Sequence, residues 1–191
     1  MGGSRRVKRC GWANGNPLLM RYHDKEWGVP LHNDMKLFEF LILEGTQAGL
    51  NWLIILKKRE NYRRAFDSFD SVKVAQYSRR DMRRLLSDPG IIRNRQKIAA
   101  AIVNAQKFLE VQKNFGSFDN YAWQFTSGNP IRHRFRSLSR VPAKSAESDA
   151  MSEGLRRLGF KFVGSTICYA FMQAVGMVND HTVNCFRYNQ V

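Results

Sequence analysis

The sequence predicts an all-α fold. Apolar residues recur at helical spacing along most of the chain, capping residues precede those runs, and no alternating apolar–polar stretch marks a strand. The clearest case is Leu37–Leu56, an almost wholly apolar run holding one carboxylate, Glu44, with a helix break expected at Gly45. Leu37, Phe40, Leu41 and Glu44 follow i, i+3, i+4, i+7 spacing, so Glu44 falls on the arc that should face the interior. A carboxylate there is costly unless something pairs with it or neutralises it. It is either satisfied by backbone amides or an arginine, or it waits in a pocket for a cationic or hydrogen-bonding ligand.

The remaining elements follow in order. Residues 1–9 are glycine, serine and basic residues without apolar periodicity, and are expected to form a flexible basic tail; residues 10–191 should form a single helical domain. Cys10–Pro30 reads as loops around a short helical turn near Leu18–His23. Asn33 or Asp34 caps the helix ending at Glu44, and a second helix spans about Asn51–Phe66, its later half basic and exposed. Asp70 opens a short helix, Ser71–Gln76, and Ser78 caps Arg79–Leu86. A tight turn, Ser87–Arg95, leads to a long helix from Gln96 to about Val111. The aromatics between Phe115 and Phe125 suggest one more helical turn. Thr126–Ser145, rich in Pro, Ser and Arg, is expected to be irregular. Ser148 should cap a helix stopping at Gly159, and Gly164 or Ser165 should start another reaching about Met177.

The composition is globular, with 43% hydrophobic and 12% aromatic residues in 191, enough for one domain with a real core. Thirty-one Lys and Arg stand against 16 Asp and Glu, giving +15. A polyanion partner is implied, nucleic acid first and an anionic membrane surface second. No apolar run reaches transmembrane length and no apolar segment follows the first basic residues, so no membrane insertion or secretion is expected. Three scattered cysteines, Cys10, Cys168 and Cys185, are too few for a disulfide framework and fit a reducing, cytoplasmic setting.

Three constellations carry chemistry. Cys10 and His23 lie near one end of the chain, His181 and Cys185 near the other. If His181–Cys185 is helical, its i, i+4 spacing puts both side chains on one face. Two thiolates and two imidazoles complete a tetrahedral Zn²⁺ shell with no place for water, which describes a structural staple; a surface His23 and a buried free Cys185 is the alternative. Cys168 belongs to an apolar helix and is expected to be a packed thiol. Second, the Arg79–Leu86 and Gln96 helices with their glycine-containing connector form an αα-hairpin. Its second helix start, with Arg93, Arg95 and Lys97, would suit a phosphate, or its charges would simply be solvated. Third, Tyr22, Trp27 and Trp52 would suit a flat, electron-poor ring held beside Glu44, or pack as core.

Taken together these residues resemble a known family. The sequences R-C-G-W at 9–12, Y-H-D-K-E-W-G-V-P at 22–30, L-E-G-T-Q-A-G-L-N-W at 43–52 and L-K-K-R-E-N-Y-R at 56–63 are similar to bacterial 3-methyladenine DNA glycosylase I. So are G-I-I-R-N-R at 90–95, G-F-K-F-V-G-S-T-I-C-Y-A-F-M-Q-A at 159–174 and V-N-D-H at 178–181. The resemblance implies a helix-hairpin-helix DNA glycosylase fold, the hairpin near residues 79–111, with a zinc site joining the N- and C-terminal segments. It implies zinc ligands Cys10, His23, His181 and Cys185, and a base pocket of Glu44, Tyr22 and Trp52, with Glu44 in the catalytic role. Gly49 and Leu50 match the loop that wedges into the duplex, and Arg93, Arg95 and Lys97 the hairpin on the DNA backbone. Thr46 and Asn51 depart from the family pattern beside the pocket. The implied activity is monofunctional excision of 3-methyladenine from double-stranded alkylated DNA; a monomer is the default expectation. The competing expectation is a zinc-stapled DNA-binding module without catalysis.

Overall fold

The computed structural model describes residues 7–191; the expected tail therefore lies mostly outside the described residues. The chain is predominantly helical, with nine α-helices among those residues. Helix α1 (Pro17–Lys25) starts at Asn16, whose side chain accepts from the Leu18 and Leu19 amides, with Pro17 at the first position. Helix α2 (Asp34–Gln47) is capped by Asn33. The neighbouring Asp34 carboxylate instead takes the Phe118 and Asp119 amides, so it caps a different helix. Helix α3 (Trp52–Ala65) is capped by Asn51, which performs there the ordinary work of an N-cap side chain.

α2 does not break at Gly45. It runs on to Gln47, because Gly45 is buried with Phe162 against it, and the chain turns only at Ala48–Asn51. The later half of α3 is basic but not wholly exposed. Arg59 is buried, with its guanidinium on Glu39 (2.5 Å) and Glu26 (2.6 Å) and over the Phe40 ring. Burial of Glu39 on the facing helix required that partner.

Helices α4 (Ser71–Ala75) and α5 (Arg79–Ser87) follow, α5 opened by a capping box between Ser78 and Asp81. The turn after α5 is tied to α3. Lys58 Nζ and Asn61 Nδ2 donate to the Gly90 carbonyl, and the Tyr62 hydroxyl accepts from Ile92 N. Helix α6 (Arg95–Phe115), capped by Asn94, runs a full turn beyond the expected end before Gly116 stops it. Its Ile98, Ala101, Ala105 and Phe108 join Leu37, Phe38 and Leu41 of α2 in one core. Helix α7 (Phe118–Trp123) gathers the expected aromatics.

Helix α8 (Ala146–Arg157) is capped by Ser145, not Ser148; Ser148 is the residue that answers back in the capping box. Helix α9 (Ser165–Ala174) ends three residues before Met177, where the chain must pass the 29–30 backbone. Gly176, at φ +74°, makes that passage possible: a Cβ there would lie 2.3 Å from the Val29 carbonyl carbon. A two-residue parallel bridge then forms between β1 (Ile131–Arg132) and β2 (Val178–Asn179), a pairing that helical periodicity gave no reason to expect. No helix among the described residues is long and apolar enough to cross a membrane.

Replacing Gly176 by Ala should cost about 3 kcal/mol or more, since it adds both a backbone clash and left-handed strain. Urea unfolding of the variant measures this, and a loss below about 1 kcal/mol would contradict the close approach.

Candidate active site and metal centre

Two buried glutamates on α2 have opposite fates. Glu39 is held by Arg59 and Arg63. Glu44, 4% exposed on the arc of Leu37, Phe40 and Leu41, has no hydrogen-bond partner among the described residues. Burial pushes its pKa up to about 8, opposed only by the charge of Arg59. At neutral pH the carboxyl is therefore largely protonated, able to donate as well as accept.

Glu44 lines a cavity of ≈510 Å³, within the range of small-molecule sites. Its aromatic lining is Trp12, Tyr22, Trp27 and Trp52. Tyr22 sits 5.4 Å from Trp52 and Trp12 5.0 Å from Trp27, ring centre to ring centre. Tyr22 is buried, and desolvation with the nearby Glu44 holds its phenol well above the ordinary range, so it stays neutral. The Trp52 indole N–H is buried without an acceptor among the described residues. Rings on several sides and one buried carboxyl make a slot for a flat, polar-edged, electron-poor ring.

The turn between α2 and α3 brings Leu50 to the same cavity and leaves Gly49 exposed, at φ +76°. Arg93 and Arg95 are exposed at the start of α6 and make no ion pair among the described residues. Lys97 points elsewhere. Its ammonium donates to the Thr46 (2.7 Å) and Ala48 (2.6 Å) carbonyls, closing the C-terminus of α2, and partial burial lowers its pKa. It is thus a helix-end cap supporting the turn that carries Leu50, a placement different from the phosphate contact its sequence position suggested.

Cys10, His23, His181 and Cys185 do converge. All four are buried, and their ligand atoms lie within 4.8 Å of one another. Cys10 Sγ is 3.6 Å from His181 Nδ1, and Cys185 Sγ is 3.5 Å from His181 Nδ1 and 3.4 Å from His23 Nε2. Tetrahedral metal–ligand bonds of about 2.0–2.3 Å place ligands roughly 3.3–3.8 Å apart, so the residues fit a metal ion. Each imidazole also engages its other nitrogen: His23 Nδ1 meets Asp24 (2.8 Å), and His181 Nε2 meets the Trp27 carbonyl (3.1 Å). That second set of bonds turns the opposite nitrogens, His23 Nε2 and His181 Nδ1, toward the two thiols, with the Cys10 amide 3.3 Å from His23 Nε2. Arg9 grips Asp24 through two nitrogens. His181 and Cys185 are joined by turns rather than a helix; the expected helical face is replaced by a tight bend, Cys185 N donating to the Thr182 carbonyl at 2.7 Å.

Trp12, Gln47, Leu138, Val141 and Gln173 also line the cavity and were not singled out by sequence. Trp12 carried a signal, two residues after a metal-type cysteine. Leu138 and Val141 come from the irregular connection, where no periodicity could assign them a face.

Glu44 generates a pH test. Its folded pKa is raised, so the stability tied to its proton is present below about 4.5 and is lost as pH rises through about 8. Glu44→Gln should match the unaltered protein near pH 5 and exceed it by roughly 2–4 kcal/mol at pH 9 in urea unfolding. The same gap at both pH values would contradict the assigned burial.

Comparison with known proteins gives this arrangement its relatives. Residues 12–188 match the family model described as methyladenine glycosylase. DNA-3-methyladenine glycosylase 1 of Escherichia coli (strain K12) is 50% identical over 182 residues, covering 95% of this chain and 97% of that protein. A crystal structure of 3-methyladenine DNA glycosylase I superposes with a TM-score of 0.92 at 49% identity, covering 94% of this chain and 98% of the other. A second glycosylase I structure, of a variant in complex with 3-methyladenine, gives 0.90 at 34% identity over 93% and 96%. The chain belongs to the methyladenine glycosylase family.

Proposed function

We propose that this protein excises 3-methyladenine from alkylated double-stranded DNA by hydrolysing the N-glycosidic bond, releasing the free base and leaving an abasic site. The observation that carries this reading is Glu44: a buried, unpartnered carboxyl among aromatic rings, beside a helix-to-helix turn that lends the cavity Leu50. Relatives named for this activity, and a neighbour holding 3-methyladenine, support it.

A purine methylated at N3 within DNA is cationic, so its glycosidic bond is already weak and the base leaves readily. The protein then needs to extrude the nucleotide, recognise the base and keep the site dry. Leu50, presented by Gly49, fills the space the nucleotide leaves in the stack, while Arg93 and Arg95 hold the backbone from a helix-hairpin-helix of α5 and α6. Tyr22 and Trp52 sandwich the ring. Glu44 meets the exocyclic amine and adjacent ring nitrogen, and gives up its proton more easily as the positive base enters. Glu44 is the one carboxylate lining the cavity among the described residues, and no lysine lines it. This supports a monofunctional hydrolase without strand-cleaving lyase activity.

Cys10, His23, His181 and Cys185 hold one zinc ion, as their two-thiol, two-imidazole chemistry favours. Bound by four protein ligands, the ion would supply folding energy and leave no place for water. The protein acts as a cytoplasmic monomer, with residues 10–191 forming one domain.

Methylated duplex DNA is expected to lose free 3-methyladenine on incubation with the protein, and Glu44→Gln to slow release roughly 10–100-fold, by loss of a charge-assisted hydrogen bond. Undiminished release by the variant removes Glu44 from its role; no release by the unaltered protein removes the proposed activity. Metal analysis should find one zinc per chain, with chelation lowering the melting temperature. Substoichiometric metal in folded protein argues against the staple.

A further inference from the structure

The chain between α7 and α8 holds a feature that base excision as described does not use. Ile131, His133 and Phe135 are half-buried while Arg132, Arg134 and Arg136 are exposed, an alternation with period two. The segment runs beside 177–183: Ile131 N donates to the Met177 carbonyl, His133 N to Asn179, and Val183 N to Phe135. His133 Nδ1 adds a 2.6 Å contact with the buried Asp180. The ribbon is therefore fastened to the stretch that carries His181, and one face presents arginines. In extended chain, alternate residues stand roughly 6.6 Å apart, a spacing suited to successive phosphates of a single strand.

Arg132 is engaged, donating to the Val191 carbonyl and lying over Tyr188. Arg134, Arg136 and Arg140 make no ion pair and no side-chain hydrogen bond among the described residues. Just beyond the ribbon, Leu138 and Val141 line the same cavity as Glu44, and Leu138 is 37% exposed. Arginines without acidic partners, on a backbone held rigid, at the margin of a base-sized cavity, fit one occupant: a phosphodiester strand.

We propose that Arg134, Arg136 and Arg140 form a second DNA-backbone surface, separate from Arg93 and Arg95, that grips phosphates beside the nucleotide entering the cavity. It rests on the glycosylase reading for what enters that cavity. Two backbone grips, one on the α5–α6 hairpin and one on the ribbon, hold the strand on both sides of the extruded nucleotide.

The test measures binding of a short duplex carrying an abasic-site analogue at several salt concentrations, for the unaltered protein and for R134A/R136A/R140A. The slope of log affinity against log salt should become shallower by about two to three, near 0.9 per phosphate contact removed. Binding of free 3-methyladenine, followed by tryptophan quenching, should be unchanged. The R134K/R136K/R140K variant should recover most of the slope. An unchanged slope in the alanine variant overturns the proposal, and so does a slope that lysines fail to restore. Failure of the glycosylase reading is seen separately, as no base release by the unaltered protein.

Discussion

The closure of the chain's two ends on one another governs the functional side of the molecule. Cys10 and His23 meet His181 and Cys185 within 4.8 Å, and one side of the cavity hangs from that junction. Trp12 follows Cys10 by two residues, Tyr22 precedes His23, and Trp27 gives its carbonyl to His181. Three of the four aromatic walls are thus positioned by the residues that make the junction. Gly176 and the β1–β2 bridge lead the chain into it from the other side. Four buried polar side chains, two of them thiols and two imidazoles, form a poor core by themselves; a shared cation would turn them into a strong one.

The second constraint is Glu44. A folded protein stable by only a few kcal/mol does not ordinarily leave a carboxyl buried and unpaired. The same helix shows the ordinary solution one turn earlier, where Glu39 has two arginines. Arg59 reaches Glu39 and Glu26 and influences Glu44 only through space. The cost at Glu44 is therefore local and specific, and it resembles other places where function opposes stability. A ligand that brings positive charge and N–H donors to the cavity would compensate that cost.

How far this was legible in the sequence depended on which physics each residue obeys. Glu44 declared itself through helical periodicity, and the caps Asn33, Asp70 and Ser78 through their side-chain chemistry. The cysteine–histidine set was legible from ligand type, though its geometry was not: a turn, not a helix, joins His181 to Cys185. Gly45 misled because glycine in a helix interior is read as punctuation, whereas here it admits Phe162. Arg59 and Lys97 misled in another way. Long cationic side chains look exposed in a basic stretch, and only tertiary packing tells whether one turns inward to a carboxylate or a helix end. The 131–136 alternation was too short, and too isolated among prolines and serines, to stand out.

These inward-turning charges also change what +15 means. Much of the acidic complement is spent inside: Glu39 and Glu26 on Arg59, Asp24 on Arg9 and His23, Asp34 on the α7 amides, Asp180 on His133, Tyr169 and Gln173. Among the described residues, the exposed lysines and arginines without an acidic partner are spread over α1, α3, α5 and α8 as well as the start of α6 and the ribbon after α7. Two groups stand out by their anchoring: Arg93 and Arg95 follow a turn tied to α3, and the ribbon arginines sit on backbone bonded to 177–183 that leads to Leu138 at the cavity. A diffuse membrane-binding charge requires no such anchoring, whereas a strand that must deliver one nucleotide into a fixed slot does.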